Sequence, residues 1–166
     1  MTNAVACYTT LFLLFGGKWL LLKRSPSKRF LPDRYTGLGG RVEADELGDL
    51  KSSVLRELHE ETGLRAEDLT HLTLRRLLLH NRPGEPLTNL VYFTAELKTY
   101  ALPECAEGTL HWVRPEDFGA LDIIETTAQV LPELALDVAR EPTGPGTVRL
   151  GAAHYGAGGL ERVVWA

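Results

Sequence analysis

Residues 39–64 read GGRVEADELGDLKSSVLRELHEETGL, and they contain the most informative structural pattern of the chain. It predicts a helix over residues 49–62, because Asp49 suits the N-cap position and Gly63 is of the type that commonly ends a helix. The apolar side of this helix is formed by Leu50, Val54, Leu55 and Leu58. We therefore expect the helix to pack one side against a hydrophobic core.

The same helix carries three acidic residues, Glu57, Glu60 and Glu61. In a helix they fall within an arc of roughly 100°, beside the apolar side. Carboxylates this close repel one another, and a divalent cation relieves the repulsion. Ligands that are all oxygen favour Mg²⁺ or Mn²⁺. Glutamates at this spacing more often form a solvated helix face, so the choice rests on the residues around them.

Those flanking residues follow a recognisable order. Five residues separate Gly40 from Glu46, and the unbroken run RELHEETGL follows at residues 56–64. This resembles the Nudix box: G, five residues, E, seven residues, R-E, an apolar residue, any residue, E-E, any residue, G and an apolar residue. Every fixed residue type is present, but nine residues rather than seven separate Glu46 from Arg56. The extra length lies ahead of the helix and leaves its register unchanged, while the role of Glu46 stays open.

The resemblance implies an α/β fold, an α/β/α sandwich with a mixed β-sheet. It also implies metal ligands at Glu57, Glu60 and Glu61, with a backbone carbonyl of Gly39 or Gly40, of which we choose Gly40. Arg56 would orient the acidic cluster through charge-assisted hydrogen bonds. Mg²⁺, or Mn²⁺, is the expected cofactor.

The implied activity is hydrolysis of a phosphoanhydride bond by water. Residues 35–42 look most like the branch that converts nucleoside triphosphates, including oxidised ones, into a monophosphate and pyrophosphate. ADP-ribose and dinucleoside polyphosphates stay open as substrates, as does a noncatalytic nucleotide-binding regulator. The predicted catalytic set is Glu60, Glu57, Arg56 and Glu107. As general base we place Glu60 before Glu107, for which an ordinary loop carboxylate is the alternative.

Candidate substrate-binding residues are Arg24, Tyr35, Gly39 and Tyr92. Arg24 ends a predicted strand together with Lys23, where both side chains can meet phosphate oxygens or simply face solvent. Three further residues that can contact a base are Tyr8, His80 and Asn81. Aromatic residues in strands are more often part of a core.

The rest of the chain predicts a mixed α/β pattern. Glycines at 16 and 17 between two apolar runs predict a hairpin over residues 5–23. Further strands are expected at residues 69–79, 90–97 and 110–113. A helix is expected over residues 123–140, which Pro132 should kink or divide. Residues 1–141 form the predicted Nudix domain, and residues 142–166 are a tail or a hairpin of the same domain.

Composition excludes several classes of protein. The 166 residues, with 44% hydrophobic and 24% charged, predict one globular domain. A net charge of −4 with scattered basic residues argues against a polymeric nucleic acid partner but not against a nucleotide. Glycines and Lys18 interrupt the apolar N-terminal stretch, so we expect no membrane segment. Cys7 and Cys105 predict free thiols and a cytoplasmic location. A homodimer stays open.

Overall fold

The computed structural model describes residues 5–144 and 146–166. Its first two strands, β1 (Val5–Phe15) and β2 (Lys18–Arg24), form the hairpin predicted from the glycine pair. Gly16 and Gly17 both adopt positive φ angles, of 54° and 77°. Glycine reaches this left-handed region without a steric penalty, which explains why the turn contains two of them.

The helix of the acidic residues forms as the sequence predicts. It spans Leu50–Thr62, is labelled α1, and begins after Asp49, whose carboxylate accepts a hydrogen bond from the Ser52 backbone N–H at 3.1 Å. It ends at Gly63, whose φ of 75° lies in the left-handed region. The other elements are β3 (Tyr35–Thr36), β4 (Leu69–His80), β5 (Leu87–Leu97), β6 (Gly108–Val113), α2 (Glu125–Arg140), β7 (Arg149–Gly156) and β8 (Gly159–Trp165).

The strands form one mixed sheet in the order β3-β2-β1-β5-β4-β7-β8, with β6 paired to β2. The β1–β5 and β4–β7 pairs are parallel, and the remaining pairs are antiparallel. Each parallel pair needs a long connection between its strands, and the segment between β4 and β7 includes α2.

Alternate residues of β1 face opposite sides of the sheet. Leu11 and Leu13 belong to the cluster that contains the α1 residues Val54 and Leu58. Phe12 and Leu14 belong to a second cluster, which contains the α2 residues Val130, Leu131 and Leu134. Since side chains alternate across a strand, the two helices lie on opposite faces. The predicted α/β/α sandwich with a mixed sheet is confirmed.

The sequence predicted that Pro132 would kink or divide the second helix, and division does not occur. Helix α2 runs without interruption from Glu125 to Arg140, although Pro132 lies inside it. A proline costs a helix one backbone hydrogen bond. Buried Leu131 and Leu134 lie on either side of the proline, so core packing offsets that loss.

Residues 149–165, for which the sequence left a tail or a hairpin open, form the hairpin β7–β8. Its first strand pairs in parallel with β4. Buried Arg76 on β4 lies 4.4 Å below the ring centroid of Trp165 on β8 and donates two hydrogen bonds to Asp137 on α2, at 2.6 and 2.8 Å. Arg76 therefore connects the C-terminal hairpin to strand β4 and to helix α2.

Two further expectations concern thiols and membranes. Cys7 and Cys105 are free thiols, and partial burial raises the pKa of each. Within the described ranges, no helix has the length and apolar character that crossing a membrane requires.

Candidate active site

Arg56 is the centre of a hydrogen-bonded acidic cluster. Its Nε and Nη2 atoms donate to the two oxygens of Glu46, at 2.6 and 2.9 Å. Its Nη1 atom donates to Glu57 at 2.9 Å and to Glu60 at 3.1 Å. Nη2 also donates to the backbone carbonyl of Arg41 at 3.1 Å. One guanidinium therefore holds three carboxylates together with the loop that precedes the helix.

The two-residue lengthening of the box does not separate Glu46 from Arg56. A short 3₁₀ helix, Ala44–Glu46, folds the loop back, and Glu46 accepts a hydrogen bond from the Glu43 backbone N–H at 2.9 Å. Hydrogen bonding to Arg56 lowers the pKa of Glu46 to about 2. The extra residues are thus accommodated between this 3₁₀ helix and the N-terminus of α1.

Glu61 differs from the other two helix glutamates because it is buried, with only 9% of its surface exposed. Its Oε2 atom accepts a hydrogen bond from the Gly39 backbone N–H at 2.9 Å. Burial raises the pKa of Glu61 to about 8, and the negative charges of Glu57 and Glu107 add to the effect. Burial also raises the pKa of Glu57. The site thus concentrates carboxyl groups that need a proton or a cation.

Glycines at 39 and 40 allow the backbone to approach this cluster. Gly39 has a φ of +130°, and a Cβ atom there would collide with the carbonyl oxygen of Thr9. A Cβ atom on Gly40 would collide with the carboxylate of Glu57. The Gly40 carbonyl oxygen accepts a hydrogen bond from the Thr9 backbone N–H at 2.9 Å. Close approach, rather than flexibility, explains this glycine pair.

The predicted metal ligands Gly40, Glu57, Glu60 and Glu61 are neighbours, but they do not surround one point. Across residues 5–144 and 146–166, no three acidic, histidine or cysteine side chains converge as a metal site. The reason is visible in the hydrogen bonds, since Glu57 and Glu60 turn toward Arg56 while Glu61 turns toward Gly39.

A cavity of about 590 Å³ opens beside the acidic cluster. Gly39, Gly40, Glu61 and Glu107 line it on one side. Elsewhere its lining comes from the sheet face that carries α2 and from the first turn of that helix, including Tyr8, Thr10, Leu90, Tyr92, Thr126 and Thr127. The volume lies in the range of small-molecule sites, about 300 to 1,000 Å³. Of the predicted catalytic and metal-binding residues, Gly40, Glu61 and Glu107 therefore line this cavity, whereas Arg56, Glu57 and Glu60 do not.

The four residues predicted to bind substrate do not all reach this cavity. Gly39, Tyr92 and Arg24 line it, but Tyr35 does not. Tyr35 packs in the α2-side core with its ring edge-on to His111, at 5.7 Å between centroids. Its backbone pairs with the segment before α2, which fixes the side chain on the core side.

Two of the cavity residues have constrained side chains. Arg24 donates from Nε and Nη2 to the carbonyl oxygen of Phe30, at 3.2 and 3.0 Å, and so braces the loop at residues 25–34. Tyr92 is only 1% exposed, and burial raises the pKa of its hydroxyl, which keeps it neutral. Neither constraint follows from the sequence pattern.

Glu107 lies beside the end of the acidic helix although 45 residues separate it from Glu61 in the chain. The Ala106 backbone N–H donates to the carbonyl oxygen of Glu61 at 2.9 Å, and this bond fixes the segment. The Glu107 carboxylate forms an ion pair with Lys28, on the loop at residues 25–34. The structure thus brings this sequence-predicted residue to the cavity.

Several cavity residues were missed by sequence reasoning. Arg82, Thr126, Thr127 and Tyr155 all line the cavity, and no motif marks any of them. Tyr155 comes from the C-terminal hairpin, for which the sequence offered no function. Only strand pairing reveals that this hairpin lies next to β4.

Comparison with known proteins assigns the family. The NUDIX domain model matches residues 7–134. The fold is similar to that of the MutT protein from Bacillus halodurans, with a TM-score of 0.66, 18% identity, and coverage of 96% of this chain and 97% of that one. It is also similar to an Ap4A hydrolase from C. elegans, with a TM-score of 0.62, 21% identity, and coverage of 82% and 98%.

No functionally curated protein matches the sequence. The family model nevertheless covers more than three quarters of the chain and includes the whole acidic helix with its flanking glycines. Members of this family act on nucleotide substrates and generally use divalent metal ions. The chain belongs to the NUDIX domain family and is a Nudix hydrolase.

Proposed function

We propose that this chain is a nucleoside triphosphate pyrophosphohydrolase that depends on Mg²⁺ or Mn²⁺. It would convert (d)NTPs, including oxidised ones, into a nucleoside monophosphate and pyrophosphate. The observation that carries the proposal is the position of Glu61, a buried carboxylate facing a cavity whose other lining is largely aromatic and apolar. A polyphosphate fits the acidic side only with cations, and a nucleobase fits the apolar side.

The ligand set proposed for the metal is Glu57, Glu60, Glu61 and the Gly40 carbonyl. Oxygen donors suit Mg²⁺ and Mn²⁺. Burial raises the pKa of both Glu57 and Glu61, which supports a proton or a cation at these carboxylates. The Gly40 oxygen has a second lone pair beyond the one that accepts from Thr9. When bound, the metal would neutralise phosphate oxygens and lower the pKa of an attacking water.

Three side chains, Arg56, Glu60 and Glu107, would position the metal ligands or act as the general base. Arg56 is a positioning residue, because its N–H groups hold the carboxylates of Glu57 and Glu60. Glu60 is our first choice as the general base, taking the proton of the water as its oxygen bonds to phosphorus and the phosphoanhydride P–O bond breaks. Glu107 is the second choice, since it lines the cavity and Lys28 balances its charge.

Substrate binding is proposed for Gly39, Arg24 and Tyr92, which line the cavity, whereas Tyr35 loses support because it does not. Arg24 uses Nε and Nη2 on the Phe30 carbonyl, so only its remaining N–H groups can reach a phosphate. The two free thiols support a reducing compartment, and we propose the cytoplasm. A homodimer stays a prediction.

Other substrates form the second candidate function. The similarity to the C. elegans Ap4A hydrolase makes a dinucleoside polyphosphate an alternative substrate, and ADP-ribose contains the same type of bond. A noncatalytic nucleotide-binding role has less support, because the chain retains Glu57, Glu60 and Glu61 together with the arginine that orients them.

A panel of (d)NTPs, oxidised dNTPs, ADP-ribose and Ap4A, each with Mg²⁺ or Mn²⁺ and with products identified, tests the assignment. We expect the highest kcat/KM for a triphosphate, with pyrophosphate released. Glu60→Gln should lower turnover about 10² to 10⁴-fold and keep the fold, since it removes a charge with little change in volume. Glu96→Gln, at an exposed strand position outside the cavity, is the control.

Each contrary result has a distinct meaning. A near-normal rate for Glu60→Gln would exclude the proposed site. Faster turnover of Ap4A or ADP-ribose would replace the substrate assignment, and nucleotide binding without turnover of any compound would favour the regulatory role.

A further inference from the structure

The C-terminal hairpin lies outside residues 7–134, which the family model matches, yet it reaches the cavity. Strand β7 runs parallel to β4, pairs with it as far as Leu79 and Ala152, and continues to Gly156. Tyr155 therefore lies beyond the last paired row, where β4 has ended and the turn at residues 81–86 begins. Because β7 extends past the end of β4, Tyr155 lies at the side of the cavity rather than on the sheet surface beneath it.

Tyr155 contacts two other cavity residues. Its hydroxyl lies within hydrogen-bond distance of His80 Nδ1, at 3.2 Å, and the two ring centroids are 5.9 Å apart. The guanidinium carbon of Arg82 lies 5.7 Å from the Tyr155 ring centroid. All three side chains line the cavity. They form a cluster of two aromatic rings and one planar cation, here called the hairpin wall.

The lining of the cavity as a whole is largely apolar. Next to the hairpin wall, Ala6 and Thr88 lie in one row with His80 of the wall, and Tyr8 pairs with Leu90 in a second row. All five residues line the cavity. A surface of this kind takes the flat face of an aromatic ligand more readily than it takes a phosphate.

Arg82 has N–H groups that do not form close hydrogen bonds with its neighbouring carboxylates. Its nearest carboxylates are Glu85 and Glu125, each at 3.7 Å, which is too long for a hydrogen bond. These charges balance the guanidinium without occupying its N–H groups at close range. Guanidinium N–H groups pair well with the adjacent N7 and O6 acceptors of guanine, and adenine offers them its N7 acceptor.

We propose that the hairpin wall, Tyr155 with His80 and Arg82, selects purine nucleotides. This inference rests on the proposed function, because it concerns the base end of the same cavity. A purine presents a larger flat face to the Tyr155 ring than a pyrimidine does, and its N7 atom gives Arg82 an acceptor that pyrimidines lack. The hairpin thus determines base preference while the acidic helix acts on the phosphates.

Steady-state kinetics with ATP, GTP, CTP and UTP test the inference. Tyr155→Leu retains bulk but lacks a π face, so we expect KM for the purine nucleotides to rise about tenfold through loss of base–aromatic stacking. The KM for CTP and UTP should change less than threefold, and kcat should stay within twofold for all four. Tyr155→Phe should keep most of the purine preference.

Controls separate this role from a structural one. Tyr100→Leu removes an exposed aromatic residue that stacks on Trp112 outside the cavity, and should leave base preference unchanged. Thermal unfolding checks each variant. If Tyr155→Leu fails to fold, Arg82→Met, in the turn at residues 81–86, tests the same wall without touching the hairpin. An equal change for purines and pyrimidines, or no change, in a folded variant would overturn the inference.

A binding measurement keeps this inference distinct from the proposed function. Calorimetry with AMP, GMP, CMP and UMP and metal-free protein needs no turnover. Purine monophosphates should bind more tightly to the wild type, and Tyr155→Leu should remove the difference. If no triphosphate is hydrolysed but purine monophosphates bind more tightly in this way, the proposed function is wrong and the role of the hairpin wall is supported. If triphosphates are hydrolysed but purine monophosphates do not bind more tightly, only the role of the hairpin wall is wrong.

Discussion

Arg56 and Glu46 form a two-point hydrogen-bonded pair, Nε to Oε1 at 2.6 Å and Nη2 to Oε2 at 2.9 Å, across a loop two residues longer than the family pattern. The geometry matches the planar fork of an arginine to a carboxylate. The pair anchors the loop to the acidic helix. It also fixes the guanidinium whose third nitrogen holds Glu57 and Glu60.

We expect Glu46→Ala to lower kcat/KM about 10 to 100-fold, as loss of a group that orients metal ligands commonly does. The apparent metal affinity should fall too, because Arg56 would no longer be held in place. Titration of activity with Mg²⁺ measures both effects. Asp45→Asn, in the same 3₁₀ helix, removes an exposed charge and should be neutral. Wild-type metal affinity in Glu46→Ala would show that the pair is dispensable.

The raised pKa of Glu61, about 8, predicts a pH-dependent stability. The folded metal-free protein holds this proton more tightly than the unfolded chain, whose glutamates titrate near the ordinary value of 4.5. Between these two values the folded state binds more protons, so the free energy of unfolding should fall as pH rises through the window. Urea denaturation with a chelator from pH 5 to pH 8.5 measures the fall.

Glu61→Gln should reduce that fall, and the difference between the two proteins isolates Glu61 because other titrating groups are common to both. Mg²⁺ should raise the melting temperature of the wild type more at pH 8 than at pH 6, since the cation stabilises the ionised carboxylates. Parallel pH profiles for wild type and Glu61→Gln would contradict the assigned pKa.

Gly39 and Gly48, both in the loop before the acidic helix, offer a matched comparison. Gly39→Ala should destabilise the fold by about 2 kcal/mol or more, because the residue combines a left-handed φ with a backbone collision at Thr9. Gly48→Ala should have little effect, since no atom lies within 4 Å of the added Cβ. Chemical denaturation of both variants gives the two free energies of unfolding. Similar values would mean that the loop at Gly39 relaxes without cost.

The buried Arg76–Asp137 pair predicts a large stability effect far from the cavity. Asp137→Ala should cost about 3 kcal/mol, because it leaves a buried guanidinium with weaker compensation. Asp117→Asn removes one partner of the Arg114 ion pair, whose side chains are more than half exposed, and should cost less than about 1 kcal/mol. Thermal and urea unfolding compare the two. Equal costs would show that burial of Arg76 does not matter.

Local chemistry explains which features the sequence predicted well. The spacing of Arg56, Glu57, Glu60 and Glu61 fixes their common helix side, because the helical period depends only on nearby residues. The helix ends were predictable for the same reason, since the N-cap carboxylate and the left-handed glycine act within one turn. Division of α2 at Pro132, one of the two effects predicted there, does not occur because distant core contacts outweigh the local penalty.

The family, the layer order and the acidic helix were predictable from the amino-acid sequence. The packing of distant segments, in contrast, decided that Glu46 still reaches Arg56, that Glu61 is buried under the Gly39 backbone, and that Tyr35 packs on the core side. It also decided that Tyr155 meets His80, 75 residues away in the chain. Helix periodicity and caps are local, whereas burial and strand register depend on which distant segments pack together, and no short stretch of sequence encodes that pairing.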